Sequence, residues 1–382
     1  MKILIISNYF PPHFKGGYEL SCQDVANYLH FQGEDIFVLC GEYMKNEPEG
    51  RCNYRVRRKL HYIDYLSRDY WQKSRVEKVN YEITNRILDK FQPDLVYFWN
   101  QQYISLAPYW AVKKRNVPHL FDIGDVWPLK YYRQGLKDKT KSLVKRILPN
   151  FLDAKMIINP VIILSEWMKP LFKENFASKS IYTIPRGVSV KEGIEINPDP
   201  KNLKLMFAGR IEPLKGLELI IGVLAKLRDY KWTLDVYGDG DSGYLKKIES
   251  MIKDKSLSER IKLQGRVYPL DAAYRIHDLF LFPTLAQEGF GRVAIEAMSY
   301  GLPVVTVNQY GPNDIVDDGY NGYKCPPQDE QCWEDKLKQI LSDSALLIKM
   351  SNNALDTIRN KYDIKNINKQ RHDIIKDIYY SK

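Results

Sequence analysis

The chain has 382 residues, 44% of them hydrophobic, which is long enough for two ordinary domains. Its formal net charge of +10 would suit a polyanionic partner, but no recognisable nucleic-acid module accompanies the charge, so nucleic acid is not expected as a partner. Only a short apolar run, Met1 to Ser7, precedes Asn8 and two prolines, so neither a signal peptide nor a spanning helix is expected, and Cys22, Cys40, Cys52, Cys325 and Cys332 read as thiols of a reducing cytoplasm.

In chain order, Lys2–Ser7, Asp35–Leu39, Asp94–Trp99, Pro118–Ile123, Lys155–Ile158, Val161–Leu164 and Ile181–Ile184 read as strands, with helices between several of them, for example Tyr18–Phe31 and Ile83–Phe91. The polar stretch Lys191 to Lys201, with Gly193, Pro198 and Pro200, reads as a linker. Beyond it the plan repeats with strands at Leu203–Ala208, Trp232–Tyr237, Ile261–Gln264, Asp278–Phe282 and Val304–Val307, and Ile364 to Tyr380 closes the chain as a helix. This alternation predicts an α/β protein with parallel sheets, helices on both faces and ligand sites at the carboxyl ends of the strands. A functional cleft is expected between the two domains.

The charge is uneven. Arg51 to Lys90 holds eleven Lys or Arg against five Asp or Glu, interleaved with Tyr54, Tyr62, Ile63, Tyr65, Leu66, Tyr70 and Trp71, and Lys130 to Lys155 holds eight against two. Such segments suit an anionic membrane leaflet; a lysine-rich solvated surface is the competing reading.

Chemistry is concentrated at two strand-to-helix junctions in the second half. Glu288 and Glu296 flank Gly289-Phe290-Gly291 at the start of a helix read from Arg292 to Tyr300. Glycines there let backbone amides approach a ligand, and a helix start favours phosphate. Glu296, about two turns along, is suited to accept bonds from paired hydroxyls such as those of a ribose. The other junction is Ala208-Gly209-Arg210 to Lys215-Gly216, with a helix expected from Pro213. Arg210 offers a planar fork and Lys215 a point charge, a combination suited to a diphosphate leaving group. Two apparent sites are discounted: Asp239-Gly240-Asp241 reads as a turn with Asp241 or Ser242 capping a helix, and the six histidines show no pairing suited to zinc, although His13 lies in a motif loop.

On these residues the sequence resembles the retaining glycosyltransferases of family 4, with the two-domain GT-B fold. Further landmarks in matching order are the Pro11-Pro12 to Gly16-Gly17 loop, Ser165-Glu166-Trp167-Met168, Ile184-Pro185-Arg186-Gly187-Val188, Tyr237-Gly238-Asp239-Gly240, Gly301-Leu302-Pro303-Val304-Val305 and Asp318-Gly319-Tyr320-Asn321-Gly322. The resemblance implies two Rossmann-like doubly wound domains facing a central cleft. Residues 1–190 would bind the acceptor and 201–360 the nucleotide sugar, with the helix of 364–382 packing back on the first. It implies transfer of a sugar from a nucleotide-sugar donor, UDP-linked or GDP-mannose, with retention and without a metal or other cofactor. The acceptor would be a glycan or lipid-linked glycan in cell-surface polysaccharide or glycoconjugate synthesis. The location would be cytoplasmic or peripheral at the inner membrane face.

Carried over by residue, the resemblance gives Arg210 and Lys215 to the donor diphosphate, Glu296 to the ribose, and Glu288 with the amides of Phe290 and Gly291 to the donor sugar. Gly16 and Gly17 would close on sugar and phosphates, Gly209 belongs to the diphosphate loop, and backbone near Arg266, Val267 and Tyr268 would read the base. Three departures bear on donor identity. Gly124 stands where the family has histidine, with Asp125 expected to take part of its role; Arg186 replaces a usual asparagine, and Asp314 a common glutamate. A non-catalytic sugar-nucleotide-binding homologue and a sugar-nucleotide epimerase are the alternative functions.

Overall fold

The computed structural model describes residues 1–42, 52–64, 69–131, 156–199 and 202–381. They form two compact units, Met1–Pro185 with Ile367–Lys382, and Arg186–Asn366.

The first unit is built on β1 (Lys2–Ser7), β2 (Asp35–Gly41), β3 (Arg55–Leu60), β4 (Leu95–Phe98), β5 (His119–Ile123), β6 (Val161–Ile163) and β7 (Ile181–Thr183). They lie in the order β3-β2-β1-β4-β5-β6-β7, every pair parallel, with Ile3 beside both Ile36 and Leu95. Near-continuous apolar runs such as Lys-Ile-Leu-Ile-Ile-Ser are what a strand covered on both faces requires. The helix Gly17–Phe31 turns Cys22, Val25, Ala26 and Leu29 inward, spaced as one helical face, to meet Ile3, Ile5 and Val38. Val25 and Leu29 each contribute roughly 1.5–3 kcal/mol on burial.

The helix of Tyr70–Phe91 begins well before the expected Ile83. Its first half is polar, so hydrophobic periodicity under-reads it, but Asp69 caps it by accepting from Gln72 N at 2.9 Å. β3 was not expected either: Arg-Val-Arg-Arg-Lys-Leu is a charged edge strand, the composition that protects an open sheet edge. Conversely, 156–158 form no strand, although Met156 and Ile158 are buried. The closing helix, Ile364–Tyr380, adds Ile367 and Ile375 to the core of this unit. It also carries the fully buried Arg371, whose Nε donates to Asp122 Oδ2 at 2.9 Å. The basic stretch 132–155, together with Tyr65 and Leu66, lies outside the described residues.

The second unit contains β8 (Leu203–Ala208), β9 (Trp232–Tyr237), β10 (Ile261–Gly265), β11 (Leu279–Phe282), β12 (Val304–Val307) and β13 (Gly322–Cys325) in the parallel order β10-β9-β8-β11-β12-β13. Its core gathers Leu205, Phe207, Trp232, Leu234, Leu281 and Trp333. The described part of the expected linker, 191–199, belongs to this unit: Lys191 pairs with Asp271 at 3.1 Å, and a Cβ on Gly301 would touch Ile194 and Ile196. Cys325 and Cys332 are joined as a disulfide, correcting the expectation of five thiols. Only the fold could reveal it, because it brings the end of β13 against the first turn of the helix Glu330–Ser342.

In both sheets the strand order reverses between the first strand and the fourth strand of its unit, β1 beside β4 and β8 beside β11. Loops leaving the carboxyl ends of such a pair diverge and leave a crevice, where ligands bind in open α/β sheets.

Candidate functional site

At the reversal in the second sheet, β8 runs through Gly209 and Arg210 into a single 3-10 turn, Pro213–Lys215, and β11 runs into the loop Pro283–Gly291. The α-helix expected from Pro213 starts at Leu217 instead. Gly216 intervenes with φ +73°, and a Cβ there would overlap the carbonyl oxygen of Pro283, so position 216 is closed to other side chains by conformation and by space. The amides of Leu285 and Ala286 both donate to Leu214 O, at 2.7 and 3.1 Å. This close approach brings two of the expected residues together: Lys215 Nζ pairs with Glu288 Oε1, their side chains only 14% and 22% exposed. Thr284 Oγ1 donates to the same oxygen at 3.2 Å. An ion pair this sheltered is less screened than a surface pair.

The loop beyond is held by backbone. Gly311 N donates to Glu288 O at 3.1 Å, and a Cβ on Gly311 would overlap the Phe290 backbone. Phe290 is buried, its ring 5.5 Å from that of Tyr362. Gly289 and Gly291 flank it, and Gly291, at φ +119°, leads into the helix Arg292–Ser299. On that helix Glu296 accepts from Arg292 Nε at 2.7 Å and from the Tyr274 hydroxyl at 3.3 Å. Burial, and then the charge of Glu296, hold the Tyr274 phenol well above its ordinary range, so it remains a donor.

Other expected residues of this unit lie apart from that pair. Arg210 has a side chain 72% exposed and pairs with Glu212 at 3.1 Å. Arg266 and Val267 are exposed on the loop after β10. Arg186 is buried and Asp314 exposed. Asp241 caps the helix Ser242–Asp254, accepting from Gly243 N at 2.9 Å and Tyr244 N at 3.2 Å, which accounts for Asp239-Gly240-Asp241 as a turn.

In the first unit, Gly16 and Gly17 open the helix Gly17–Phe31, where Gly16 N donates to Glu19 Oε2 at 3.1 Å. Burial raises the Glu19 carboxyl above its usual range. Asp125 Oδ1 accepts from Trp127 N at 2.6 Å and so shapes the turn into Trp127–Tyr131. A Cβ on Gly124 would stand 3.2 Å from the ring of Tyr18, whose hydroxyl donates to Asp122 O, so that ring fills the space beside the glycine. His13 is buried. Of the aromatic and aliphatic residues expected on a membrane face, Ile63 is buried, Tyr54 and Tyr62 are half-buried, and Trp71 is 69% exposed. No helix among the described residues is long and apolar enough to cross a membrane.

Sequence reasoning missed Thr284, Tyr274 and Arg292 as partners of the two glutamates. The spacing of Arg292 and Glu296, four residues on one helix, was legible; Tyr274 reaches Glu296 only through the fold.

The profile of the family described as Glycosyltransferase Family 4 matches residues 15–192, and that of Glycosyl transferases group 1 matches residues 191–357. An uncharacterized glycosyltransferase of Methanocaldococcus jannaschii is 30% identical over 357 residues, 91% of this chain and 90% of the relative. The poly(ribitol-phosphate) alpha-N-acetylglucosaminyltransferase of Staphylococcus aureus is 29% identical over 55% of this chain, a match spanning 42% of that relative. Among solved structures, sucrose-phosphate synthase of Thermosynechococcus elongatus superposes with a TM-score of 0.78 at 20% identity, covering 100% of both chains. HepE of Anabaena, solved with UDP and glucose, superposes with a TM-score of 0.73 at 21% identity, covering 98% of this chain and 99% of its own.

Proposed function

The chain belongs to the family 4 glycosyltransferases with the GT-B fold, and on that premise we propose that it moves a sugar, with retention, from a nucleotide-sugar donor to a hydroxyl of a glycan or lipid-linked glycan. The observation that carries the reading is the meeting of Lys215 and Glu288 where the β8 and β11 loops close on each other. A cation held in a half-sheltered crevice, beside a glycine loop opening a helix, is what a departing diphosphate needs. UDP is the favoured nucleotide, as in the HepE complex, and GDP-mannose is the competing donor. The acceptor belongs to polysaccharide or glycoconjugate synthesis, in keeping with the polymer named for the Staphylococcus aureus relative.

In this mechanism the bond from the anomeric carbon to the donor phosphate oxygen breaks, and one to the acceptor oxygen forms on the same face. The acceptor proton passes to the departing phosphate. Lys215 is drawn from Glu288 toward the growing negative charge, Arg210 swings its exposed guanidinium onto the same group, and Glu288 is released to accept from donor-sugar hydroxyls. Glu296, steadied by Arg292 and Tyr274, accepts from the ribose. No metal is assigned a role, because the side chains proposed for the diphosphate are cationic.

The test is acceptor-dependent release of nucleoside diphosphate, with calorimetry across UDP, GDP and ADP sugars. Lys215→Ala is expected to lower turnover by about 10²–10³-fold. Unchanged turnover would remove the diphosphate assignment, and product formed without acceptor would favour an epimerase.

A further inference from the structure

The reversal in the first sheet carries a different set of side chains. Tyr9 follows β1, Tyr62 follows β3 and Tyr103 lies on the loop after β4. The Tyr9 ring centroid is 5.1 Å from that of Tyr62 and 6.2 Å from that of Tyr103. Lys15 Nζ stands 4.9 Å from the Tyr9 centroid and 4.7 Å from the Tyr103 centroid. The rings are half-buried and Lys15 is exposed, with no ion pair to a carboxylate among the described residues.

Buried amides fix the rings. Asn8 donates to Asn100 Oδ1 at 2.8 Å and accepts from Tyr103 N at 3.0 Å, while its carbonyl accepts from the Tyr62 hydroxyl at 3.1 Å. Asn80, fully buried, ties His61 to Ile104 through bonds of 2.8 to 2.9 Å. A Cβ on Gly41 would overlap the Tyr62 ring, so the glycine makes room for it. This bracing fixes the rings before any ligand arrives, as a preorganised binding surface requires. On the same loop Gln101 is fully buried with neither side-chain amide atom hydrogen-bonded among the described residues, an orphan normally kept where a ligand or water supplies the partner.

Tyrosine rings offer an apolar face for the C–H side of a pyranose and a polar edge for its hydroxyls, and a lysine is a point charge suited to phosphate or carboxylate. We propose that Tyr9, Tyr62, Tyr103 and Lys15 form the acceptor subsite, and that the acceptor is a glycan bearing an anionic group that Lys15 contacts while its sugar stacks on the rings. The proposal rests on the transferase reading above and names its substrate class. Because Lys15 adjoins Gly16, the donor diphosphate is the competing target, and the experiment separates the two.

The full chain, Lys15→Ala and Tyr103→Leu are applied to immobilised oligosaccharides in matched pairs, neutral against phosphorylated and neutral against uronic, while UDP binding is measured by calorimetry. Lys15→Ala changes an exposed side chain and should fold normally; a melting curve checks Tyr103→Leu. The native chain is expected to retain one anionic class about tenfold better than its neutral partners, and Lys15→Ala to erase that preference without altering the UDP affinity. Tyr103→Leu should weaken both members of each pair. Equal retention of neutral and anionic glycans, no retention at all, or a Lys15→Ala variant that loses UDP affinity but keeps its glycan preference would overturn the proposal. Failure of the donor reading shows separately, as absence of heat with UDP and its sugars.

Discussion

The two sheets reverse strand order in the same way, yet their carboxyl ends are organised by opposite means. In the first unit, buried polar side chains do the bracing: Asn8, Asn80 and Asn100 fix the loops, and Asp122 with Arg371 ties the closing helix to β5. In the second, backbone lies directly on backbone, with Gly216 against Pro283 and Gly311 against Phe290, and charges are paired at the rim. The side-chain bracing holds a cluster of half-buried tyrosines, whereas the backbone packing holds a glycine loop at a helix start. Under the two proposals above, sugar rings would suit the first and phosphates the second, so that one architecture repeated would serve two unlike partners.

The largest effect that would break this contrast lies in the first unit. Arg371 and Asp122 are both essentially sealed from solvent, and Tyr97 donates to the same carboxylate at 2.8 Å. Arg371→Ala leaves a buried carboxylate with its main counter-charge gone, and a loss of about 3–5 kcal/mol in denaturant unfolding is expected at neutral pH. The matching change in the second unit is Gly216→Val, where strain at φ +73° and the overlap with Pro283 together should cost roughly 3 kcal/mol. Unfolding transitions shifted by less than half these amounts would show that the bracing is dispensable. Below these comes Asn8→Ala, expected to cost about 1–3 kcal/mol and to weaken glycan retention while sparing UDP binding.

How much of this was legible depended on which physical signal the residues carried. Buried parallel strands announce themselves as apolar runs, so β1, β8 and β12 could be read directly as parts of an α/β protein, while the GT-B fold followed from the motif resemblance rather than from the strands. The edge strands β3 and β13 could not, because Arg55 to Lys59 and Gly322 to Cys325 lack that run. Lys215 and Glu288 were expected to serve one ligand, but their direct pairing depends on the Leu214 carbonyl accepting two amides from a loop some seventy residues away. For Tyr62, basic and aromatic surroundings suited either a membrane face or a solvated surface, and the fold adds contacts with Gly41 and Asn8 that composition does not carry. Composition reports what a segment contains; only the register of β2 and β3 determines which way it faces.

The smallest effect sharpens the contrast at the rim of the second unit. Asp271 accepts from the Tyr300 hydroxyl and pairs with Lys191, holding the start of the 191–199 segment. The Tyr300 bond, with help from Lys191 and against partial burial, keeps the Asp271 carboxyl below its ordinary range. A lowered carboxylate stabilises the folded state only while ionised. Its contribution is therefore complete above the usual value of about 3.9 and fades as pH falls through the lower folded value. With the carboxylate half-exposed, the ion pair is worth about 0–1 kcal/mol. Asp271→Asn should accordingly melt slightly below the native chain at pH 7 and converge with it as the pH falls through the lowered folded value and the native carboxylate takes up its proton. A melting difference that instead grew on acidification would mean that Asp271 is stabilised in its protonated form and that Lys191 does not hold the segment through charge.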